Sequence, residues 1–398
     1  MADEARRGDW AYGVAIRLFP PLFIAIYVAF FVKRFYTSTG LLSAVGDPVA
    51  SDFTMFWIAS GLILDGAAAA VFDWPGMMAA EHALVPGMSG VLGWSYPPIF
   101  MLYVAPLALV PFLASYALWV AASFAAMAAV IRKIAPARQT IWLLLGFPAT
   151  LICAVHGQNG FLTAALFGGA LTLLNKRPVV AGVLIGLLAF KPQFGLLIPL
   201  ALLAGRQWTA FAAAAVTTVV LVAGSAALFG PETWLAFLDN LGHINQKMAE
   251  GQVPILKMTS LFATLRVLGV DAGIAYALHA VLAAAVAAVV AWVWHRRRAT
   301  AGSAAVLIVG ALLVSPHVYD YDLPVLAVAI ALIGWAAYSS EPLPGERAVL
   351  VLAWFTPMIA LGSVTYVGVQ LGTVSLLVFF AVAVRRALTG SNALDPAL

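Results

Sequence analysis

The chain reads as an all-α protein, a polytopic transmembrane helical bundle of about 10–13 membrane helices. Two observations predict this class. It is 63% hydrophobic and only 10% charged over 398 residues, and its mean hydropathy is +0.99, whereas soluble domains are roughly half apolar and about a quarter charged. Apolar windows of about 17–25 residues also recur along the chain, each long enough to cross roughly 30 Å of hydrocarbon. In lipid every backbone polar group must be paired within its own segment, so such windows are helices. The Ala, Leu and Gly content without period-2 alternation argues against a β-barrel.

Taken in order, Met1 to Asp9 is polar, and Arg6, Arg7 and Arg17 precede a first apolar run at 15–32. No small-residue cleavage site follows it, so it reads as a retained helix rather than a signal peptide. Residues 37–95 are mixed, rich in Gly, Asp and Pro, and read as a first outer loop with a short amphipathic piece at Phe53–Leu64. Further windows fall at 97–131, 140–155, 161–174, 178–204, 208–229, 272–294, 303–315, 322–338, 347–364 and 367–384. Residues 230–260 are polar and read as a second large outer loop. The whole reads as one integral membrane domain, 1–390, with a short cytoplasmic tail at 391–398. The run 97–131 is too long for one upright helix, since 35 helical residues span about 52 Å. Pro106 and Pro111 break it, so either one piece is re-entrant or a later half-length segment corrects the parity.

Charge sets the orientation. Basic clusters at Arg132/Lys133/Arg138, Lys176/Arg177, Arg206, Arg296–Arg298, Arg347 and Arg385/Arg386 share one side with both termini. That side then carries +9 and the other −5, the asymmetry that the positive-inside rule produces. The overall +4 is therefore not a nucleic-acid signature; no aromatic-basic interleaving accompanies it. The single Cys153 excludes an intrachain disulfide and reads as a buried, inert thiol.

Five polar features fall on the outer side or lead to it. Asp52 follows the first helix, in Ser51-Asp52-Phe53, as a helix N-cap or as a base at the mouth of a membrane cavity. Trp94-Ser95-Tyr96-Pro97-Pro98 is a structural helix start with interfacial aromatics, or a sugar-stacking surface. His156-Gly157-Gln158-Asn159-Gly160 is a turn, or a set of amides that hydrogen-bonds hydroxyls. Lys191-Pro192-Gln193 interrupts an apolar stretch. Its lysine either snorkels from a helix end or binds a lipid phosphate. Ser315-Pro316-His317-Val318-Tyr319-Asp320-Tyr321-Asp322 is the densest polar cluster, an ordinary loop or part of a site. No HExxH or phosphate-binding glycine loop is present. Asp320 and Asp322 suit a hard divalent cation, but the spacing does not indicate one. His279 reads as a packing residue, and Gly182-x3-Gly186 as a close helix contact.

In this order the motifs Ser51-Asp52-Phe53, Tyr96-Pro97-Pro98, Gly157-Gln158-Asn159-Gly160, Ala181-Gly182 with Gly186-Leu187, Lys191-Pro192 and Ser315-Pro316-His317 with Tyr321-Asp322-Leu323 resemble the family 87 glycosyltransferases, over roughly residues 50–330. These are polyprenyl-phosphate-mannose-dependent, integral-membrane enzymes of the GT-C type. The resemblance implies short membrane-surface helices after the first span and a site on the periplasmic face of a bacterial inner membrane. It implies inverting transfer of a sugar, by family default mannose, from a polyprenyl-phosphate donor to a lipid or glycan hydroxyl, without a cofactor. It makes Asp52 and His317 the catalytic residues and Lys191 and Gln158 donor-site residues; the polar motifs themselves add Asn159, Tyr96, Tyr319, Asp320, Asp322 and the cation Lys257 to the expected donor site. Phe53 stands where related enzymes carry a second acid, which leaves Asp52 the sole candidate base there. The rival is a transporter or flippase of a polar or lipid-linked substrate, against which stands the lack of a matching half-repeat.

Overall fold

The computed structural model describes residues 2–249, 253–297 and 299–389; the tail expected at 391–398 lies outside the described residues. All its regular elements are helical. Six helices are long and apolar enough to cross a membrane alone, and seven shorter apolar helices accompany them. α1 (Ala2–Tyr36) supplies the first crossing, and α2 (Ser51–Leu64) and α3 (Trp74–Leu84) follow in the first loop; α2 is apolar and largely buried rather than the amphipathic surface piece expected at Phe53–Leu64. The ambiguous run at 97–131 resolves into α4 (Pro98–Val104), roughly 10 Å long, and the full-length α5 (Phe112–Ile134), separated by Pro106 and Pro111.

α6 (Thr140–Leu145) and α7 (Pro148–His156) follow each other with only Gly146 and Phe147 between them. Pro148 lacks the N–H that would bond the Leu144 carbonyl. The Thr150 hydroxyl donates to that carbonyl instead (2.7 Å), and the Tyr27 hydroxyl donates to that of Gly146 (2.9 Å). Both repairs are what an apolar solvent demands of a broken helix. α8 (Gly160–Leu173), α9 (Pro178–Gly186), α10 (Leu197–Ala204) and α11 (Trp208–Phe229) come next. The two glycines of Gly182-x3-Gly186 seat α9 on α11. A Cβ at Gly182 would lie 2.4 Å from the Ala210 carbonyl, and one at Gly186 2.5 Å from Thr217 Cβ, so only bare backbone fits.

α12 (Pro231–Ala249) occupies the second polar stretch, and α13 (Leu261–Val267) follows it. α14 (Ala272–Arg297), α15 (Ala301–Val314), α16 (Pro324–Ser339), α17 (Glu346–Val367) and α18 (Gly372–Thr389) complete the bundle. Every residue of α15 is buried, as expected of a helix apolar all round. α12 is amphipathic: Phe237 and Asn240 face inward while Leu235 and Leu238 stay exposed. Its Asn240 accepts from the Trp74 indole (2.8 Å) and donates to the Trp94 carbonyl (2.9 Å).

The bundle has two polar ends. Loops near 52, 96, 158, 191, 257 and 320 interconnect at one of them. At the other, Asn175 donates to the Ala299 carbonyl, and Arg386 pairs with Glu346, 8% and 0% exposed. Removing one partner of a buried pair strands the other charge. Arg386→Met should therefore lower stability by roughly 3–5 kcal/mol. The double variant with Glu346→Leu should regain most of it, read by thermal unfolding in detergent.

Candidate active site

Asp52 lies in the first turn of α2, yet it does not cap it. The N-cap position is Ala50, and no side chain caps the helix. The carboxylate turns instead to the 157–160 loop, where Oδ2 accepts from Gln158 Nε2 (3.0 Å). Gln158 is itself fixed, because its Oε1 accepts from the Tyr96 hydroxyl and from the Asn159 backbone N–H, both at 2.9 Å. That assigns the amide: the oxygen faces two donors, so the nitrogen faces Asp52. Gln158 is 1% exposed, while Asp52 and Tyr96 are half-buried. Asp52 Oδ1 has no hydrogen-bond partner among the described residues. Asn159, fully buried beside the Tyr96 hydroxyl, has no well-formed side-chain hydrogen bond.

The loop that presents Gln158 is shaped by two glycines. Gly157 takes the left-handed conformation that ends α7 (φ +63°). A Cβ at Gly160 would lie 2.1 Å from the Tyr321 carbonyl. The 157–160 and 319–322 loops are therefore in backbone contact.

Lys191 does not present its ammonium to solvent. It pairs with Asp322, and the two side chains are 2% and 3% exposed. Asp322 uses its other oxygen to accept from the Tyr319 N–H (3.1 Å), which closes the 319–322 turn. The pair thus fastens that loop to the segment between α9 and α10. Asp320 is also buried, and its Oδ1 accepts from the Tyr321 N–H (2.8 Å). Burial raises its carboxyl above the usual carboxylate range, against the pull of His156 and Lys257. The Tyr319 and Tyr321 rings stack with centroids 5.1 Å apart.

His317 is turned away from this group. Its Nε2 meets the Tyr276 hydroxyl (2.9 Å), and its ring stands edge-on to Phe262. Burial, assisted by nearby His279, pushes its pKa down to about 4. Neutral imidazole at neutral pH is the consequence, which removes His317 as a source of positive charge. His279 packs in α14 with Nε2 on the Val314 carbonyl (3.0 Å), and Cys153 is buried.

Two further residues were not among the expected site residues. His156 stands one turn from Asp52's partner and meets Lys257 (Nζ to Nε2, 3.1 Å). Glu81, 0% exposed, accepts from the N–H groups of Leu92 (3.1 Å) and Gly93 (3.3 Å). It thereby sets the turn that delivers Trp94 and Tyr96. Burial raises its carboxyl as well. His156 was visible as part of the HGQNG motif; Glu81 looked like any acid of a polar loop. Among the described residues no group of three His, Cys, Asp or Glu side chains is placed to hold a metal ion. An apolar groove of about 470 Å³ runs along α1, α5 and α7, and its Tyr116 packs on Phe53 beside Asp52.

Fold and site together define a polytopic membrane protein with its polar chemistry gathered at one end of the bundle. A family model, Glycosyltransferase family 87, matches residues 94–316, more than half of the chain. The chain belongs to this family and is a glycosyltransferase. No curated protein and no solved structure matches it. The matched segment includes Tyr96, Gln158, Asn159, Lys191 and Lys257 and stops short of Asp52, which joins the site through Gln158.

The depressed His317 carries a stability consequence. An unfolded histidine takes up its proton near pH 6.5, the folded one only near 4. Its contribution is therefore complete above about pH 6.5 and is lost as pH falls toward 4. His317→Asn should flatten that part of the melting-temperature profile; an unchanged acid slope would refute the assignment.

Proposed function

We propose that this glycosyltransferase moves a sugar, mannose by family expectation, from a polyprenyl-phosphate donor to a hydroxyl of a lipid or glycan acceptor. Asp52 is the general base, and transfer inverts the anomeric centre. The observation that carries this reading is the asymmetry of the Asp52 carboxylate. One oxygen is held by Gln158, which is held in turn by Tyr96, and the other is unengaged among the described residues. A fixed carboxylate with one open oxygen can receive the proton of an attacking hydroxyl.

In the proposed step the acceptor oxygen bonds to the anomeric carbon while its proton passes to Asp52 Oδ1. The anomeric carbon–phosphate oxygen bond breaks on the opposite face, and the electron pair leaves on the phosphate. A cation near the departing phosphate stabilises that charge. Lys257, exposed at the edge of the cluster, is better placed for this than Lys191, which Asp322 already neutralises. Gln158 and Asn159 remain the amides nearest the base, and the stacked Tyr319 and Tyr321 rings offer an aromatic wall.

The site is assigned to the periplasmic face of a bacterial inner membrane. Support comes from charge: Arg132 and Lys133 end α5, Arg296 and Arg297 end α14, and Arg386 ends α18, all in the last turns of long apolar helices. The acids Asp52, Asp320 and Asp322 gather at the opposite end.

Labelled polyprenyl-phosphate mannose, purified protein and membrane lipid form the test. Wild type should transfer label to a lipid or glycan product. Asp52→Asn should reduce transfer roughly 10²–10⁴-fold while expression and membrane insertion stay unchanged. Full activity in that variant would remove Asp52 as the base.

A further inference from the structure

Residues 91–95 form neither helix nor strand, yet they lead directly to Tyr96 and so to the base. A segment without its own backbone ladder holds its shape only through outside partners. Two helices supply them. From α3, the Glu81 carboxylate receives two successive backbone N–H groups, that of Leu92 on one oxygen (3.1 Å) and that of Gly93 on the other (3.3 Å). Adjacent N–H groups turned to one anion fix the backbone between them. From α12, the Asn240 amide donates to the Trp94 carbonyl (2.9 Å) while its oxygen accepts from the Trp74 indole (2.8 Å). The Trp74 ring also lies on bare Gly93, where a Cβ would come within 2.2 Å of it.

Beyond Trp94 the hold passes from side chain to side chain. The Trp94 indole donates to the Tyr96 carbonyl (2.8 Å), and its ring stacks on Phe100 with centroids 5.7 Å apart. The Tyr96 hydroxyl donates to Gln158, and Gln158 donates to Asp52. Glu81 is 0% exposed and Asn240 is 3% exposed. No cation pairs with Glu81 among the described residues. A buried acid without an ion pair is costly to keep. A glutamine of the same shape would face one of the two N–H groups with an amide N–H of its own, so only the acid holds both.

We propose that Glu81 and Asn240 are positioning residues for the transfer reaction. Together they fix the 92–94 backbone that sets Tyr96, and through Tyr96 and Gln158 they hold the Asp52 carboxylate in line with the acceptor hydroxyl. The inference rests on Asp52 as the base. A carboxylate whose one anchor shifts loses the alignment that proton transfer needs, and a displacement of about 1 Å can cost roughly 10²-fold in rate. The loss falls on the alignment of the base, so it appears in kcat rather than in KM. α12 thereby enters the chemistry although it lies 180 positions from Asp52 in the chain and bonds only the turn before Tyr96.

Two measurements on the full-length protein in detergent with membrane lipid form the test. The first is transfer of label from polyprenyl-phosphate mannose, read as kcat and both KM values. Glu81→Gln should lower kcat roughly 10–100-fold and leave both KM values within about twofold. Asn240→Leu, on a different helix, should do the same, and it serves should the Glu81 variant fold poorly. In the double variant Glu81→Gln with Tyr96→Phe, the loss should match that of the worse single variant, since both act along one chain. The second measurement is amide hydrogen exchange, which needs no substrate. The Asn159 N–H bonds the Gln158 side chain (2.9 Å), so its exchange reports whether that side chain stays in place. Exchange over 157–160 should quicken in Glu81→Gln and in Asn240→Leu, although both residues sit on other elements. Losses that multiply in the double variant, full kcat in Glu81→Gln, or unchanged exchange over 157–160 would overturn the positioning role. Full activity in Asp52→Asn would instead remove the base, and no transfer by wild type would remove the donor. Exchange judges the turn in either case.

Discussion

The Gln158 side chain is the joint on which the polar end of this bundle turns. In a low-dielectric interior an amide must satisfy both of its ends, and each partner orders the next. Gln158 takes the Tyr96 hydroxyl and the Asn159 N–H on its oxygen and gives its nitrogen to Asp52. Three loops far apart in the chain are thereby brought to one point. The same amide explains why Asp52, in a helix's first turn, forgoes the cap: the carboxylate has a better-defined donor across the bundle than the free N–H groups of its own helix.

Charge is handled differently at different depths. Where cations and acids are wholly buried, as in Lys191–Asp322 and Arg386–Glu346, they are paired and act as fasteners between helix ends. Isolated charge there would cost several kcal/mol of desolvation. Toward the surface the pattern loosens. Lys257 rests on His156, and Asp52 keeps one oxygen open among the described residues. Reactive capacity lies in these incompletely paired groups, and rigidity in the complete pairs behind them.

Hydropathy and charge asymmetry made the helical membrane class legible, and the ordered motifs made the family legible. Packing detail was legible where one residue type has one use: Gly182 and Gly186 do seat a helix. Asp52 could be picked out as the acid after the first span, but its partner stands 106 positions away, and no local pattern encodes that distance. Lys191 and His317 show why residue type alone misleads. An ammonium or imidazole reads as a cation until burial and a neighbour are known, and here one is neutralised by Asp322 and the other loses its proton to desolvation. The run at 97–131 stayed ambiguous because proline marks a break without saying which fragment is long enough to cross.

The contact between Gly160 and the Tyr321 carbonyl leaves no room for any side chain at position 160. Two loops touching backbone to backbone form a single mechanical plate, with the Gln158 chain on one edge and the stacked tyrosines on the other. The turn Ile255–Lys257 joins the same unit, because Met258 and Thr259 pair with the backbone of Tyr319 and Val318, so three stretches of chain hold the site in one frame.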